Sequence, residues 1–193
     1  HTPVLLKHVL DILRPSAGSC YIDGTFGAGG YSRAILDSAD CRLLALDRDP
    51  RAIAAAKDLV NAYSPRLVLK LARFGDMAEA ARESGFSPAD GIVLDIGVSS
   101  MQLDEAERGF SFMRDGPLDM RMSAEGLSAA DVVNSFGEEE IAEILFVLGE
   151  ERRSRPIARA IVRRRAEKPF ERTLELADVI ASVIPRRHDD PKH

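Results

Sequence analysis

The fold is decided by residues 20–30, which read CYIDGTFGAGG. An apolar run that ends in an acid, from Cys20 to Asp23, is followed by four glycines within seven positions, and helix-forming residues follow from Ser32 to Leu36. Glycines between a strand and a helix let the backbone approach a ligand closely, and the start of the helix offers free amide groups. The stretch therefore predicts a strand, a ligand-binding turn and a helix. The alternative is that the glycines only make a tight turn.

The same alternation continues along the first half of the chain. After a short amphipathic segment at 4–13, apolar runs that predict strands lie at 42–47, 67–71 and 91–95, and predicted helices lie at 51–62 and 77–84. Asp49 suits the N-cap of the helix at 51–62, and Pro50 suits its first position. Near-continuous apolar strands that alternate with helices indicate a parallel sheet covered on both faces. The predicted fold class is α/β, with a doubly wound sheet.

The second half of the chain has a different pattern. Residues 99–122 are rich in Gly, Ser, Met and charge without a clear period, which predicts a long functional loop. Helical periodicity follows at 141–148, from Pro156 onward, and at 174–184. Because no strand comparable to the first four is found there, we predict a small helical domain at about 104–185.

Composition excludes several classes of protein. Of the 193 residues, 45% are hydrophobic and 30% are charged, which is typical of a folded globular protein. The chain shows neither a membrane-spanning apolar run nor a secretory signal pattern, so a cytoplasmic location and no membrane partner are expected. Cys20 and Cys41 stand singly, which predicts two reduced, buried thiols, and the histidines lack ligand spacing, so no metal site is expected.

Charge is distributed unevenly along the chain. The net charge is −5, yet residues 151–193 hold twelve Lys and Arg against seven Asp and Glu. A basic end on an acidic body is consistent with a polyanionic partner, and equally with a solvated helix surface.

Two acids follow predicted strands at positions where α/β sheets place their ligands. Asp47 ends the second apolar run and could accept the hydroxyls of a ribose, or it could cap the turn before Pro50. Asp95 ends the fourth run and could accept a hydrogen bond from an amine. The dinucleotide motif GxGxxG, the phosphate loop GxxxxGK[ST] and the hydrolase elbow GxSxG all fail to match, so NAD, ATP and hydrolysis are disfavoured.

Five stretches of the sequence together resemble one family, the RsmH (MraW) family of S-adenosylmethionine-dependent methyltransferases with a Rossmann-like sheet. They are residues 1–6 (HTPVLL), 21–32 (YIDGTFGAGGYS), 46–50 (LDRDP), 94–100 (LDIGVSS) and 107–122 (ERGFSFMRDGPLDMRM). The last stretch is specific, because no generic fold demands it. The resemblance implies methylation of the N4 amine of a cytidine in 16S ribosomal RNA of the small ribosomal subunit.

The resemblance also implies roles for individual residues. The contacts to S-adenosylmethionine are expected from Gly29, Gly30, Tyr31, Asp47, Phe74, Asp95 and Gln102, and the residue analysis adds Asp23 and Gly27. Tyr31, a position that is often His in the family, is expected to use its backbone. Asp95 is the expected hydrogen-bond acceptor for the amine, or it only holds the cofactor, and Ser99 and Ser100 are expected to shape the pocket.

RNA contacts are expected from two groups of residues. In the loop, Phe110 and Phe112 could stack on a base while Arg108, Arg114 and Arg121 hold phosphates, or these residues pack the loop. Arg155, Arg159 and Arg163 share a helix face that is expected to contact RNA backbone.

The implied organisation has three parts. Residues 1–103 form the cofactor-binding domain with the first four strands, residues 104–185 a helical substrate-recognition insertion, and residues 186–193 the start of a return segment to C-terminal strands that this chain lacks. Two other functions stay open, a non-enzymatic RNA-binding or ribosome assembly factor on a methyltransferase scaffold and a DNA amino-methyltransferase. The sequence does not predict an oligomeric state.

Overall fold

The computed structural model describes residues 3–123 and 125–184. The predicted return segment at 186–193 lies outside these residues. Among the described residues, 3–97 with 122–123 form one compact unit, and 98–121 with 125–184 form another. We call them the sheet unit and the helical unit.

The sheet unit alternates strands and helices in the predicted order. Its strands are β1 (Cys20–Asp23), β2 (Arg42–Asp47), β3 (Leu67–Leu71) and β4 (Gly91–Val93). Its helices are α1 (Leu6–Leu13), α2 (Gly30–Ser38), α3 (Pro50–Ala55), α4 (Lys57–Ala62) and α5 (Met77–Glu83).

The described strands form one parallel sheet in the order β3-β2-β1-β4. Asp23 pairs with Ala45 on one side and with Val93 on the other. The carboxyl ends of β1, β2 and β4 therefore meet at one edge, and the turns that follow them are neighbours.

Alternating side chains of the strands are buried under helices on both faces of the sheet. On one face Tyr21 and Leu43 pack with Ile35 of α2 and Leu59 of α4. On the other face Ile22, Leu44 and Leu46 pack with Ala80 and Ala81 of α5 and with Phe86. This arrangement confirms the predicted α/β, doubly wound class.

Two predicted boundaries and one predicted burial in the sheet unit are wrong or shifted. The fourth strand ends at Val93 rather than Asp95, because the amide of Asp95 donates to a side chain, Thr25 Oγ1, instead of to the ladder. The predicted helix 51–62 is two helices, because Ala56 leaves α-helical geometry with ψ at 0°. Cys20, expected to be buried, is only partly so, whereas Cys41 is buried.

The helical unit has its own hydrophobic core. It contains α6 (Ser100–Asp104), α7 (Ala129–Ser135), α8 (Glu138–Val147), α9 (Ser154–Arg165) and α10 (Thr173–Val183). The core joins Ile141 of α8 to Ile157 and Ile161 of α9, with Leu118 and Phe170 from the connecting segments. In the segment 99–122, predicted as a loop without regular structure, the chain forms α6 and a 3-10 turn at Ala106–Arg108.

Within residues 3–123 and 125–184, no helix has the length and apolar character that crossing a membrane requires.

Candidate functional site

Asp23, the last residue of β1, is fully buried beneath the glycine turn. One carboxylate oxygen accepts a hydrogen bond from the Thr25 amide (3.1 Å), and the other accepts one from the Ser32 hydroxyl on α2 (2.7 Å). Burial raises the pKa of Asp23 to about 6, although these hydrogen bonds favour the charged form. Asp23 therefore ties the strand, the turn and the helix together.

Asp47, the last residue of β2, holds the same turn from the neighbouring strand. Its Oδ2 accepts a hydrogen bond from the Gly27 amide at 2.7 Å, and its Oδ1 accepts one from the Asp49 amide at 2.8 Å. Asp49 in turn caps α3 by accepting from the Arg51 amide, which confirms its predicted capping role. A carboxylate has about four acceptor sites, so Asp47, which is only partly buried, keeps capacity for two hydroxyl donors.

The turn places Gly29 at the start of α2 in a conformation that favours glycine. Gly29 has φ +75° and is the N-cap, so the N-cap residue offers no side chain to this helix start. A Cβ on Gly29 would lie 2.5 Å from a methyl group of Leu59 and 2.8 Å from the ring of Phe26. A Cβ on Gly30 would collide with Pro3. Both glycines are therefore required by packing, and the first turn of α2 is bonded by the Asp23 carboxylate, through the backbone and the side chain of Ser32.

Tyr31 is buried in the first turn of α2. Its hydroxyl donates to the carbonyl of Val4 at 2.5 Å. Burial first, and then the negative charges of Asp95 and Asp23, raise the pKa of Tyr31. The phenol therefore stays protonated beside Asp95, and its expected backbone contact with a cofactor stays a prediction.

Asp95 lies two residues beyond the end of β4 and is exposed. Its amide donates to Thr25 Oγ1 at 2.7 Å, so this residue is bonded to the turn after β1. The exposed ring of Phe74, in a 3-10 turn after β3, lies next to the same turn, because a Cβ on Gly24 would lie 3.1 Å from Phe74 Cβ. The sheet unit thus brings together Asp23, Gly27, Gly29, Gly30, Tyr31, Asp47, Phe74 and Asp95 at the carboxyl edge of its strands.

Ser99, Ser100 and Gln102 belong to the helical unit. Ser99 caps α6 in a capping box, in which the Ser99 amide donates to Gln102 Oε1 (2.9 Å) and the Gln102 amide donates to Ser99 Oγ (3.2 Å). Ser100 is the first residue of that helix. The Ser-x-x-Gln spacing is a signature of a helix start that the sequence analysis did not use.

The loop residues that are expected to contact RNA have different surroundings. Arg108 is buried and donates to the Arg121 carbonyl (3.0 Å), while Arg121 pairs with Asp119 at 2.6 Å. Arg114 donates to the Asp104 carbonyl. These contacts are of the kind that the packing alternative requires.

The two loop aromatics and the basic helix are more open. Phe110 is partly buried beside Arg108, and Phe112 is exposed. On α9, Arg155, Arg159 and Arg163 are all exposed, and Arg159 pairs with Glu138 at 3.3 Å. The predicted basic face is therefore accessible.

Thr25 and Ser32, whose side chains bond to Asp95 and Asp23, were not predicted from the sequence. Thr25 follows the acid of β1 by two residues, and a hydroxyl so close to the acid of a strand end is a signal that could have found it, whereas Ser32 is nine residues away.

Comparison with known proteins gives one family. The model of the MraW methylase family matches residues 1–193. A relative from Parvibaculum lavamentivorans is 60% identical over all of this chain and 57% of its own length, and one from Xanthobacter autotrophicus is 58% identical over 95% of this chain and 53% of its own. One from Rhodospirillum rubrum is 53% identical over 98% of this chain and 58% of its own. All three are named ribosomal RNA small subunit methyltransferase H. The chain spans about half the length of these curated relatives.

Proposed function

The chain belongs to the MraW methylase family, and from that premise we propose that it transfers a methyl group from S-adenosylmethionine to the N4 amine of a cytidine in 16S ribosomal RNA of the small ribosomal subunit. The observation that carries the proposal is the carboxyl edge of the sheet unit, where the glycine turn, Asp47 and Asp95 lie together. The names of the relatives support the same class of substrate. The site of action would be the cytoplasm.

The residues at this edge fit the donor. Asp47 would accept the ribose hydroxyls, and the backbone at Gly29 and Gly30, which carries no side chain, would let the donor approach the start of α2. The exposed ring of Phe74 would lie beside the adenine. Asp95 would lie near the methionine end, and the expected contribution of Gln102 stays a prediction.

The proposed reaction depends more on alignment of the amine with the methyl group than on activation of either group. When bound, S-adenosylmethionine supplies a methyl group on a sulfonium that is already a good leaving group. The N4 amine is a poor nucleophile, because its lone pair is conjugated into the cytosine ring. Alignment of two reactants contributes on the order of 7 to 11 kcal/mol, so no covalent intermediate is needed. Asp95 would orient the amine by accepting one of its protons in a hydrogen bond.

The helical unit would be the substrate-recognition insertion. The exposed Arg155, Arg159 and Arg163 would contact RNA phosphates, and the exposed ring of Phe112 would stack on a base. Reversal of the three charges to Glu is expected to weaken binding to small subunits and to flatten its salt dependence. An unchanged salt slope would argue against this face.

The test of the proposed function is a methylation assay with the full-length protein, a labelled methyl donor and either small ribosomal subunits or DNA. Label in the N4 position of a 16S cytidine supports the proposal. Label in DNA alone indicates a DNA amino-methyltransferase, and binding of subunits without label indicates an assembly factor.

Two variants that replace an acidic residue test the roles of Asp47 and Asp95. Asp47→Ala is expected to weaken donor binding by at least 10-fold in calorimetry, whereas Asp58→Ala, which removes an exposed acid of α4, leaves it unchanged. Asp95→Asn separates the two roles of Asp95. Near-normal donor binding with lost turnover indicates a role in the reaction, and lost donor binding indicates that Asp95 only holds the donor.

A further inference from the structure

The backbone of Asp95 is held by a side chain rather than by the sheet. β1 and β4 pair as far as Asp23 and Val93, and the Gly24 amide adds one more bond to the Val93 carbonyl at 3.0 Å. The next donor on the β4 side is the Asp95 amide, which donates to Thr25 Oγ1 at 2.7 Å. Because β1 has already given way to the turn, a hydroxyl accepts the bond that a strand carbonyl accepts within a parallel ladder.

Thr25 is itself anchored to the interior. Its amide donates to Asp23 Oδ1 at 3.1 Å, and the other oxygen of Asp23 accepts from Ser32 Oγ at 2.7 Å. Asp23 and Ser32 are both fully buried. Three hydrogen bonds in series therefore connect the buried start of α2 to the exposed Asp95. They join Ser32 to Asp23, Asp23 to Thr25, and Thr25 to Asp95.

The segment around Asp95 has few other restraints. Ile96 is 72% exposed, and Leu94, whose methyl group lies over Gly24, is 39% exposed, so burial restrains this segment only through Leu94. The Asp95 amide donates to the Thr25 hydroxyl, and the Asp95 carboxylate is hydrogen-bonded to the Tyr31 hydroxyl. The Thr25 hydroxyl therefore restrains the backbone at Asp95, and Tyr31 restrains its side chain.

We propose that Thr25 is a positioning residue, which fixes the backbone of Asp95 so that the carboxylate and carbonyl of that residue meet the target amine. The inference rests on the proposed function. Loss of the bond would let Asp95 move while the glycine turn, which Asp47 holds independently through the Gly27 amide, keeps its shape. A displacement of about 1 Å at a reacting group costs on the order of 100-fold in rate, so the effect belongs to turnover rather than to donor binding.

The test compares Thr25→Val with Thr25→Ser in the full-length protein. Valine has the shape of threonine without the hydroxyl, and serine keeps the hydroxyl. Thr25→Val is expected to lower kcat by about 10- to 100-fold while KM and the calorimetric Kd for the donor stay within about 3-fold, and Thr25→Ser is expected to restore most of the rate. Amide hydrogen exchange at Asp95 is expected to speed up in Thr25→Val only.

Three results would overturn the inference. They are an unchanged kcat in Thr25→Val, a loss of donor binding as large as the loss of kcat, and equal defects in the Val and Ser variants. The inference and the proposed function fail differently. If the unmodified protein does not methylate small subunits, the proposed function is wrong and the inference is wrong with it. If it methylates them and Thr25→Val does so equally well, only the inference is wrong.

Discussion

Helices α2 and α10 begin in opposite ways. In front of α10, Glu175 accepts the amides of Glu171 (2.9 Å) and Arg172 (3.2 Å) and pairs with Lys168 at 3.0 Å. In front of α2, the N-cap is Gly29, which offers no side chain. The amides before α10 are thus bonded by a residue of the same helix, whereas the carboxylate that bonds the first turn of α2 is Asp23, at the end of β1.

The two helices differ at the N-cap position. The start of α10 is stabilised by a capping box, whereas the N-cap of α2 is a glycine without a side chain. The first amides of any helix need acceptors, and a carboxylate or hydroxyl of the chain supplies them where nothing else binds. Ser99 and Ser128 accept an amide from the first turn of α6 and α7, and Gln102 and Asp131 accept the N-cap amide of those helices as Glu175 does in α10. A glycine N-cap supplies no acceptor of its own and leaves room at that position for an acceptor from a bound molecule.

The largest effect is expected from Gly29→Ala. The new Cβ would meet Leu59 at 2.5 Å and the Phe26 ring at 2.8 Å, in a backbone with φ +75°. Overpacking and the left-handed conformation together should lower the free energy of unfolding by about 2 to 4 kcal/mol. Urea unfolding measures the change.

Gly18→Ala is the matched control, because Gly18 has φ +80° and nothing within 4 Å of its Cβ position. It should lower the free energy of unfolding by about 1 kcal/mol. Equal losses in the two variants would show that conformation alone, without packing, requires glycine at position 29.

The strands illustrate what the sequence predicts well. β1, β2 and β3 begin and end where their apolar runs do, because helices cover both faces of the sheet at β1 and β2, and at β3 Leu67 and Val68 contribute to the packing on opposite faces. β4 ends two residues before its run does, at Val93. The end is set by the hydroxyl of Thr25, a residue about 70 positions away, and no local pattern contains that information.

The candidate site also combines features that the sequence predicts with contacts that it does not predict. The positions of Asp47 and Asp95 follow from the rule that α/β sheets bind ligands at the carboxyl ends of their strands. Phe74 and Gln102 were reached only through the family resemblance, since neither follows a buried run in a way that marks it. That Asp47 bonds the Gly27 amide depends on how two turns meet in space, which the sequence did not reveal.

A second, smaller effect on stability is expected from Asp23, which bonds to Ser32 in the first turn of α2. Burial raises the pKa of Asp23 to about 6, from 3.8, so between these values the folded protein keeps a proton that the unfolded chain has released. Stability should therefore fall as pH rises from about 4 to about 6, by up to about 3 kcal/mol from this group. Below and above that range its contribution is constant.

Asp23→Asn tests this expectation, because the amide can accept from Thr25 and donate to Ser32 without carrying a charge. Thermal unfolding between pH 4 and 7 should show a shallower decline with pH in the variant than in the unmodified protein. Parallel pH profiles would mean that Asp23 does not titrate in this range.

The smallest effect on stability is expected from Glu175, at the start of α10. The bonds from Glu171, from Lys168 and from Arg172 lower the pKa of Glu175 to about 2, so its stabilising contribution is complete above about pH 5 and declines as pH falls through 4.5 toward 2. Glu175→Gln should lower the free energy of unfolding by about 1 kcal/mol at pH 7. Glu143→Gln, at an exposed position of α8, is the matched control and should have no effect. In melts from pH 7 to pH 3, the gap between Glu175→Gln and the unmodified protein should narrow. A stability difference that stays constant with pH would show that the shape of the Glu175 side chain, and not its charge, stabilises the start of α10.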